Sequence, residues 1–327
     1  MDHRIRATNR DHGALVTHPA GRLRALPGPS LLADLVTLSR PLHAMKSLLL
    51  VPIALVDSLR WTTDGLAAIG WAAGAFIVAA AAVYVGNDVA DRDRDRHHPV
   101  KCQRPIAAGR VSVRAGILYC ATLLAVGVLV GLGPGGPYWP VLAYLVLSVA
   151  YSRGLKHVPL LDVGTVALGF VLRIVQGYVA LDEPVSAWLV VAVLSVSLLL
   201  LTGKRRHELL GAGAAHRPAL RGYNIELINL LLPLTGVLSV VAGLIYLATD
   251  APFGSYRQVA VLLSAPFALF ALFRYLQVLV VNGGGGDPVR VLLRDRAMVV
   301  TGVLWAGTLA AILVLAHNPA LANGVLS

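Results

Sequence analysis

Apolar stretches of about 20 residues, long enough to cross the hydrocarbon layer as helices, recur along this chain between short polar segments. About nine are predicted, near residues 37–56, 66–86, 114–132, 138–150, 162–180, 187–203, 227–248, 258–281 and 298–317. The expected fold is all-α: a polytopic bundle of about nine transmembrane helices forming one domain over residues 37–327. Residues 1–36 form a basic amino-terminal arm, expected to be mobile and to rest on anionic lipid. Residues 1–30 lack the apolar core of a cleavable signal.

The polar segments alternate in charge. Of 28 Lys and Arg, only Arg60 and Arg257 fall in the odd-numbered loops, while the arm and the even-numbered loops hold nearly all the others. The positive-inside rule then predicts a cytoplasmic amino terminus and, with an odd number of spans, an external carboxyl terminus. Composition agrees: 57% of residues are hydrophobic, 14% are charged, and mean hydropathy is +0.71, too apolar for a soluble domain of this length. The net charge of +11 therefore reports topology and anionic partners in a lipid bilayer; no soluble basic face points to nucleic acid. Cys102 and Cys120 fall in a loop and a span, which disfavours a disulfide between them and offers no metal-ligand spacing.

Chemistry concentrates where the second span ends. Residues 84–109 hold four aspartates, five Lys or Arg and two histidines. If the helix continues to His97, a turn of about 100° per residue places Asp88, Asp91 and Asp95 within one arc and sends Asp93 elsewhere. Three converging carboxylates repel unless a cation joins them, and hard oxygen donors suit Mg²⁺, which keeps positions for phosphate oxygens. The plainer alternative is a solvated helix end neutralised by Asp–Arg pairs. Lys101 and Arg104 follow, just before Pro-Ile-Ala-Ala-Gly, which reads as a tight loop holding the two cations near the carboxylates to balance phosphate charge.

A second polar stretch, Tyr151 to Asp162, should lie on the same side and bring Tyr151, Lys156 and Asp162 toward the first. Arg173 falls inside a span, where a charge is costly and faces either a structural partner or a pocket. Lys204 and Arg205, at the end of the sixth span, could anchor topology or receive an anionic head, with Glu208 as counter-ion or acceptor. Near the first span, Arg40 and Lys46 could touch phosphate or anchor the helix. Four glycines at 283–286 form a mobile crossing, a lid or a plain linker.

These words resemble the UbiA superfamily of intramembrane prenyltransferases, and within it the decaprenyl-phosphate 5-phosphoribosyltransferase family. Its Asn-Asp-x-x-Asp-x-x-x-Asp motif, followed by His-Pro-x-Lys-x-x-Arg-Pro-Ile-Ala-Ala-Gly, is matched by Asn87, Asp88, Asp91, Asp95, His98, Pro99, Lys101 and residues 104–109. Its Tyr-Ser-x-x-Leu-Lys motif with a following Asp is matched by Tyr151, Ser152, Leu155, Lys156 and Asp162. The likeness extends over nearly everything after residue 36; near the start, Arg40, Pro41 and Lys46 agree, while Ala44 and Ser47 replace the usual Trp and Asn.

The resemblance implies a bundle with a cytoplasmic-side polar cavity in the cell membrane. It implies Mg²⁺-dependent transfer of the 5-phosphoribosyl group from 5-phosphoribosyl 1-diphosphate to a polyprenyl phosphate, supplying cell-wall arabinan. Asp88, Asp91 and Asp95 would hold the metal; with Lys101, Lys156 and Asp162 they would form the catalytic set. Lys46, Tyr84, Asn87, Arg104, Tyr151, Arg173, Lys204 and Arg205 would bind substrate. Prenyl transfer to an aromatic or other small acceptor is the alternative, since it uses the same carboxylate–metal–diphosphate chemistry. A non-catalytic transporter fits less well, because the polar clusters gather on one side of the membrane. The sequence leaves a homo-oligomer open.

Overall fold

A computed structural model describes residues 30–41, 50–51, 53–59, 61–97, 99–134, 136–211, 218–281 and 292–318. Its elements are helices α1 (Leu31–Ser39), α2 (Ile53–Ser58), α3 (Thr63–Ala90), α4 (Arg92–Arg96), α5 (Val113–Val130), α6 (Trp139–Arg153), α7 (Leu161–Ala180), α8 (Ala187–Gly211), α9 (Ile225–Thr249), α10 (Arg257–Val280) and α11 (Arg296–His317). No strand occurs among the described residues.

Among the described residues seven helices, α3, α5 and α7 to α11, are long and apolar enough to cross a membrane, and they match seven of the nine expected runs. The run at 138–150 becomes α6, whose 15 residues rise only about 22 Å. Of the run at 37–56, residues 42–49, which include Lys46, lie outside the described residues, as do Arg60, His98 and the four glycines. Helix α1 begins inside the stretch assigned to the arm, with Ser30 capping it and Asp34 and Leu38 buried.

Burial sorts the spans. In their most apolar windows 56% of α3 and 61% of α7 lies inside the protein, against 6% of α5 and 11% of α11, so α3 and α7 form the interior and α5 and α11 face lipid. Small residues make the interior position of α3 feasible: Ala68, Ala72, Ala75, Ala79 and Ala82 are buried at helical spacing, letting neighbours approach where lipid supplies no hydrophobic drive. Phe76 fills the gap against α6 and α7, and Val85 packs with Leu38 of α1 and with Ile106 and Val111 of the loop before α5. In the carboxyl-terminal half, Leu199, Ile228, Leu232, Leu272 and Leu279 join α8, α9 and α10.

Helix α7 inverts the usual amphipathic pattern. Asp162, Thr165, Gly169, Arg173 and Gln176 recur every three or four residues and all are buried, so its polar stripe faces the bundle interior. Leu160, just before this helix, has φ 65°, uncommon without glycine, and its N–H donates to Tyr223 Oη at 2.8 Å. At the other end of α7, Tyr178 Oη donates to Asp57, as does Tyr246 Oη of α9, both at 2.5 Å.

Gly177 permits the closest approach of α7 to the chain before α2, since a Cβ there would sit 2.2 Å from the Val51 carbonyl oxygen. Gly177→Ala is therefore expected to lower stability in detergent by about 1–3 kcal/mol through overpacking. Gly243→Ala, with nothing within 4 Å, should leave it unchanged. Thermal unfolding followed by tryptophan fluorescence checks the pair.

Candidate active site

The end of α3 breaks at Asp91 (φ −93°, ψ 5°), and α4 resumes at Arg92. Helical bonds nevertheless cross the break: Asp91 N–H donates to the Asn87 carbonyl at 2.8 Å and Asp95 N–H to the Asp91 carbonyl at 2.9 Å. Asp88 and Asp95 are buried side by side, and both accept from Arg104 Nη1, at 3.1 and 2.6 Å. Asp88 also accepts from Arg40 Nη2 at 2.5 Å. Asp93, expected to point away, is 70% exposed and pairs with Arg92 and Arg96. These exposed pairs are the solvated Asp–Arg contacts that the plainer sequence reading anticipates.

The expected trio is a pair plus one. Asp91, at the break, turns to Lys156 Nζ at 3.2 and 3.3 Å instead of joining Asp88 and Asp95. Among the described residues no three His, Cys, Asp or Glu side chains gather closely enough to hold a metal in this arrangement. The reason is that Lys156 draws Asp91 away, while Arg104 holds Asp88 and Asp95 together. The donor set still suits a hard divalent ion: one guanidinium nitrogen already bridges Asp88 and Asp95, the place from which a metal would touch both.

Local sequence explains the clasp. Arg40 follows α1 in a left-handed conformation (φ 48°), with Pro41 next, ending the helix and aiming the guanidinium at Asp88. Its guanidinium also lies 5.1 Å from the centre of the Tyr84 ring. The loop after α4 folds tightly through Gly109 at φ 76° and plants Ile106 among Leu38, Val85 and Val111, which fixes Arg104. Arg110 closes the loop onto α1 through Asp34. Lys101 is exposed on the outer turn of this loop.

The second polar stretch meets the first as expected. Ser152 Oγ donates to Asn87 Oδ1 at 2.5 Å, beside the Lys156–Asp91 pair. Asp162 turns elsewhere, accepting from Arg205 Nε at 2.8 Å and from Tyr223 Oη at 2.7 Å. Arg205 also donates to Glu208. Asp162 and Arg205 are 0% and 2% exposed, so they form a buried pair rather than open ligands. Burial and the bond to Asp162 push the Tyr223 phenol well above its ordinary pKa, so it remains a donor at any working pH. Lys204 is half-buried on α8, while Arg206 braces α8 against Asn229 and the Leu279 carbonyl.

Between α3, α6 and α7 lies a cavity of about 190 Å³, lined among others by Tyr84, Asn87, Tyr144, Tyr151, Phe170 and Arg173. It runs inward from Asn87 at the mouth. Arg173 Nη1 donates to the Gly169 carbonyl at 2.6 Å, and its guanidinium carbon lies 4.7 Å from the centre of Tyr144 and 5.5 Å from that of Phe170. Both sequence readings of Arg173 meet here: it lines the cavity, and its guanidinium has a structural partner in the Gly169 carbonyl. A wider apolar groove near Trp71 and Val130 lies toward the far end of α3 and carries no titratable group.

The sequence profile of the UbiA prenyltransferase family matches residues 49–285. The chain belongs to that family. A decaprenyl-phosphate phosphoribosyltransferase of Mycolicibacterium smegmatis is 30% identical over 316 residues, covering 90% of this chain and 98% of that protein. Its namesake in Mycobacterium tuberculosis H37Rv is 33% identical over 296 residues, covering 87% and 96%. A UbiA homologue from Archaeoglobus fulgidus, solved with GPP and Mg²⁺, superposes with a TM-score of 0.64 at 18% identity, over 86% of this chain and 99% of that one. At that identity the likeness speaks for the fold.

In this UbiA chain the sequence motifs miss Tyr223, Tyr144 and Thr165. Helical spacing exposes two of them: Tyr144 and Ser148 share the Tyr151 face of α6, and Thr165 lies on the α7 stripe. Tyr223 sits in no recognisable motif. Replacing Asp162 by Ala should cost about 3–5 kcal/mol by stranding the buried Arg205 charge, the remaining Glu208 contact holding the loss toward the lower figure. Tyr223→Phe should cost about 1–3 kcal/mol, because Asp162 and the Leu160 N–H each lose a partner. Unfolding of the purified variants in detergent gives the ranking.

Proposed function

We propose that this UbiA protein transfers the 5-phosphoribosyl group of 5-phosphoribosyl 1-diphosphate to a polyprenyl phosphate and releases diphosphate. The observation that carries the reading is the mouth itself, where Asp88, Asp91 and Asp95 alternate with Arg40, Arg104 and Lys156. Such a set can take a divalent cation and phosphate oxygens together. Two phosphorylated substrates call for this density of cations, and the names of the relatives at 30–33% identity agree.

In this reaction a phosphate oxygen of the lipid bonds to the anomeric carbon as the bond to diphosphate breaks, and the diphosphate departs with the electron pair. Mg²⁺, held by Asp88, Asp95 and Asp91, supplies Lewis-acid stabilisation of that leaving group when bound. Arg40, Arg104 and Lys156 move from carboxylate to phosphate oxygens and hold the diphosphate in place. Asn87, Tyr84 and Tyr151 orient the sugar at the cavity entrance, and Tyr144 and Phe170 keep bulk water from its inner end. The acceptor phosphate is already anionic near neutral pH, so no base need deprotonate it. Holding its oxygen against the anomeric carbon is the main task, and positioning supplies much of the rate.

The polyprenyl tail lies between helices in the bilayer, and the mouth faces the cytoplasm across the plasma membrane, in line with the basic residues around it. The product serves as an arabinan precursor for the cell wall. Prenyl transfer is the second reading, favoured by the aromatic lining of the cavity.

Membranes containing the protein, given labelled 5-phosphoribosyl 1-diphosphate and polyprenyl phosphate, should form a labelled lipid that chelation of divalent metal abolishes. Asp88→Asn, Asp91→Asn and Asp95→Asn should each cut turnover by about 100-fold or more, and Asp93→Asn should barely change it. Turnover of a prenyl diphosphate with no labelled phosphoribosyl lipid reverses the order of the two readings.

A further inference from the structure

Three carboxylates meet Arg40, Arg104 and Lys156 at the mouth, and the formal charges of these six groups cancel before the exposed Arg94 is counted. The pairs are not equivalent. Arg104 is a wedge: by contacting Asp88 and Asp95 through the same nitrogen it holds the place where one ion would touch both. Arg40 closes Asp88 from the α1 side, and Lys156 engages both oxygens of Asp91. Arg94, itself exposed, adds a further cation 3.6 Å from Asp91.

A bare divalent ion entering this cluster must displace guanidinium and ammonium groups that then have no anion to receive them. Asp88 and Asp95 are 3% and 2% exposed, and the side chains of Arg40, Arg104 and Lys156 only 27%, 26% and 17%, so water would screen the imbalance in part. A divalent ion that arrives with a diphosphate avoids this, because the displaced cations gain phosphate oxygens as they lose carboxylates. We propose that Arg40, Arg104 and Lys156 make metal binding at this mouth conditional on a diphosphate, with Arg104 as the residue that sets the condition. Arg104 thereby acts as a gatekeeping residue: it keeps the carboxylates apart from metal alone and rewards the metal–diphosphate unit.

The inference rests on the mouth being a diphosphate site, as in the function proposed above, but not on which donor carries the diphosphate. A protein that used a prenyl diphosphate would show the same coupling, so loss of the phosphoribosyl assignment leaves it intact.

Equilibrium dialysis of Mn²⁺ against the full-length protein in nanodiscs, with and without inorganic diphosphate, reads the coupling directly and needs no turnover. Wild-type protein should retain Mn²⁺ at least about tenfold more tightly when diphosphate is present. Arg104→Gln should retain Mn²⁺ alone about tenfold more tightly than wild type and lose most of the diphosphate enhancement. Arg104→Lys, which restores a charge, should move back toward wild type. Equal Mn²⁺ retention by wild type in both conditions overturns the proposal, as does a monodisperse Arg104→Gln protein whose affinity for Mn²⁺ alone is unchanged. If Arg104→Gln does not fold, the wild-type comparison decides by itself.

Discussion

Burying charge at the end of a membrane bundle requires a partner for every charge, and this requirement shapes the polar end of the protein. Asp88, Asp95 and Asp162 are almost wholly withdrawn from solvent, and each accepts from an arginine supplied by another segment. An unpaired ion there costs several kcal/mol, so the pairs fix how the segments meet. Arg40 brings in the chain end of α1, Arg104 the loop after α4, Lys156 the turn after α6, and Arg205 the end of α8. Stretches far apart in sequence are thereby stitched around one opening, while the apolar parts of the spans pack behind it.

The same opening joins a polar rim to a semi-aromatic interior through α7. Its inward stripe begins at Asp162 in the ion-pair layer and passes Thr165 and Gly169 to reach Arg173 beside the rings of Tyr144 and Phe170. An intramembrane arginine on a lipid-facing stripe would be expensive; here aromatic faces and the Gly169 carbonyl receive it. The fold shared with a homologue at 18% identity supplies the frame, but the chemistry resides in these particular side chains.

Much of this was legible beforehand. Hydropathy located the seven long spans, and the distribution of basic residues gathered the two polar stretches at one end. Ser152 and Lys156 do meet Asn87 and Asp91 across some 60 residues of sequence. Pairing was less legible, because it depends on where the chain bends. The break at Asp91 diverts one carboxylate from a face that an unbroken helix would give it. Asp162 and Arg205, each read as a site residue, satisfy one another. Lys204, Arg205 and Arg206 look alike in sequence, yet a rotation of about 100° per residue sends Arg205 to Asp162 and Arg206 to the Leu279 carbonyl. Tyr223 carries no local signal, since its role is defined wholly by what lies across from it.

Helix α6 has a consequence of its own. At 15 residues it rises about 22 Å, less than the roughly 30 Å of a hydrocarbon layer, and its last turn carries Tyr151 and Ser152 beside the opening. A short wall of this kind favours local thinning of the leaflet on that flank. A lipid carrying its charge at the headgroup can then present it at the depth of the carboxylates with its long tail still immersed in the acyl chains.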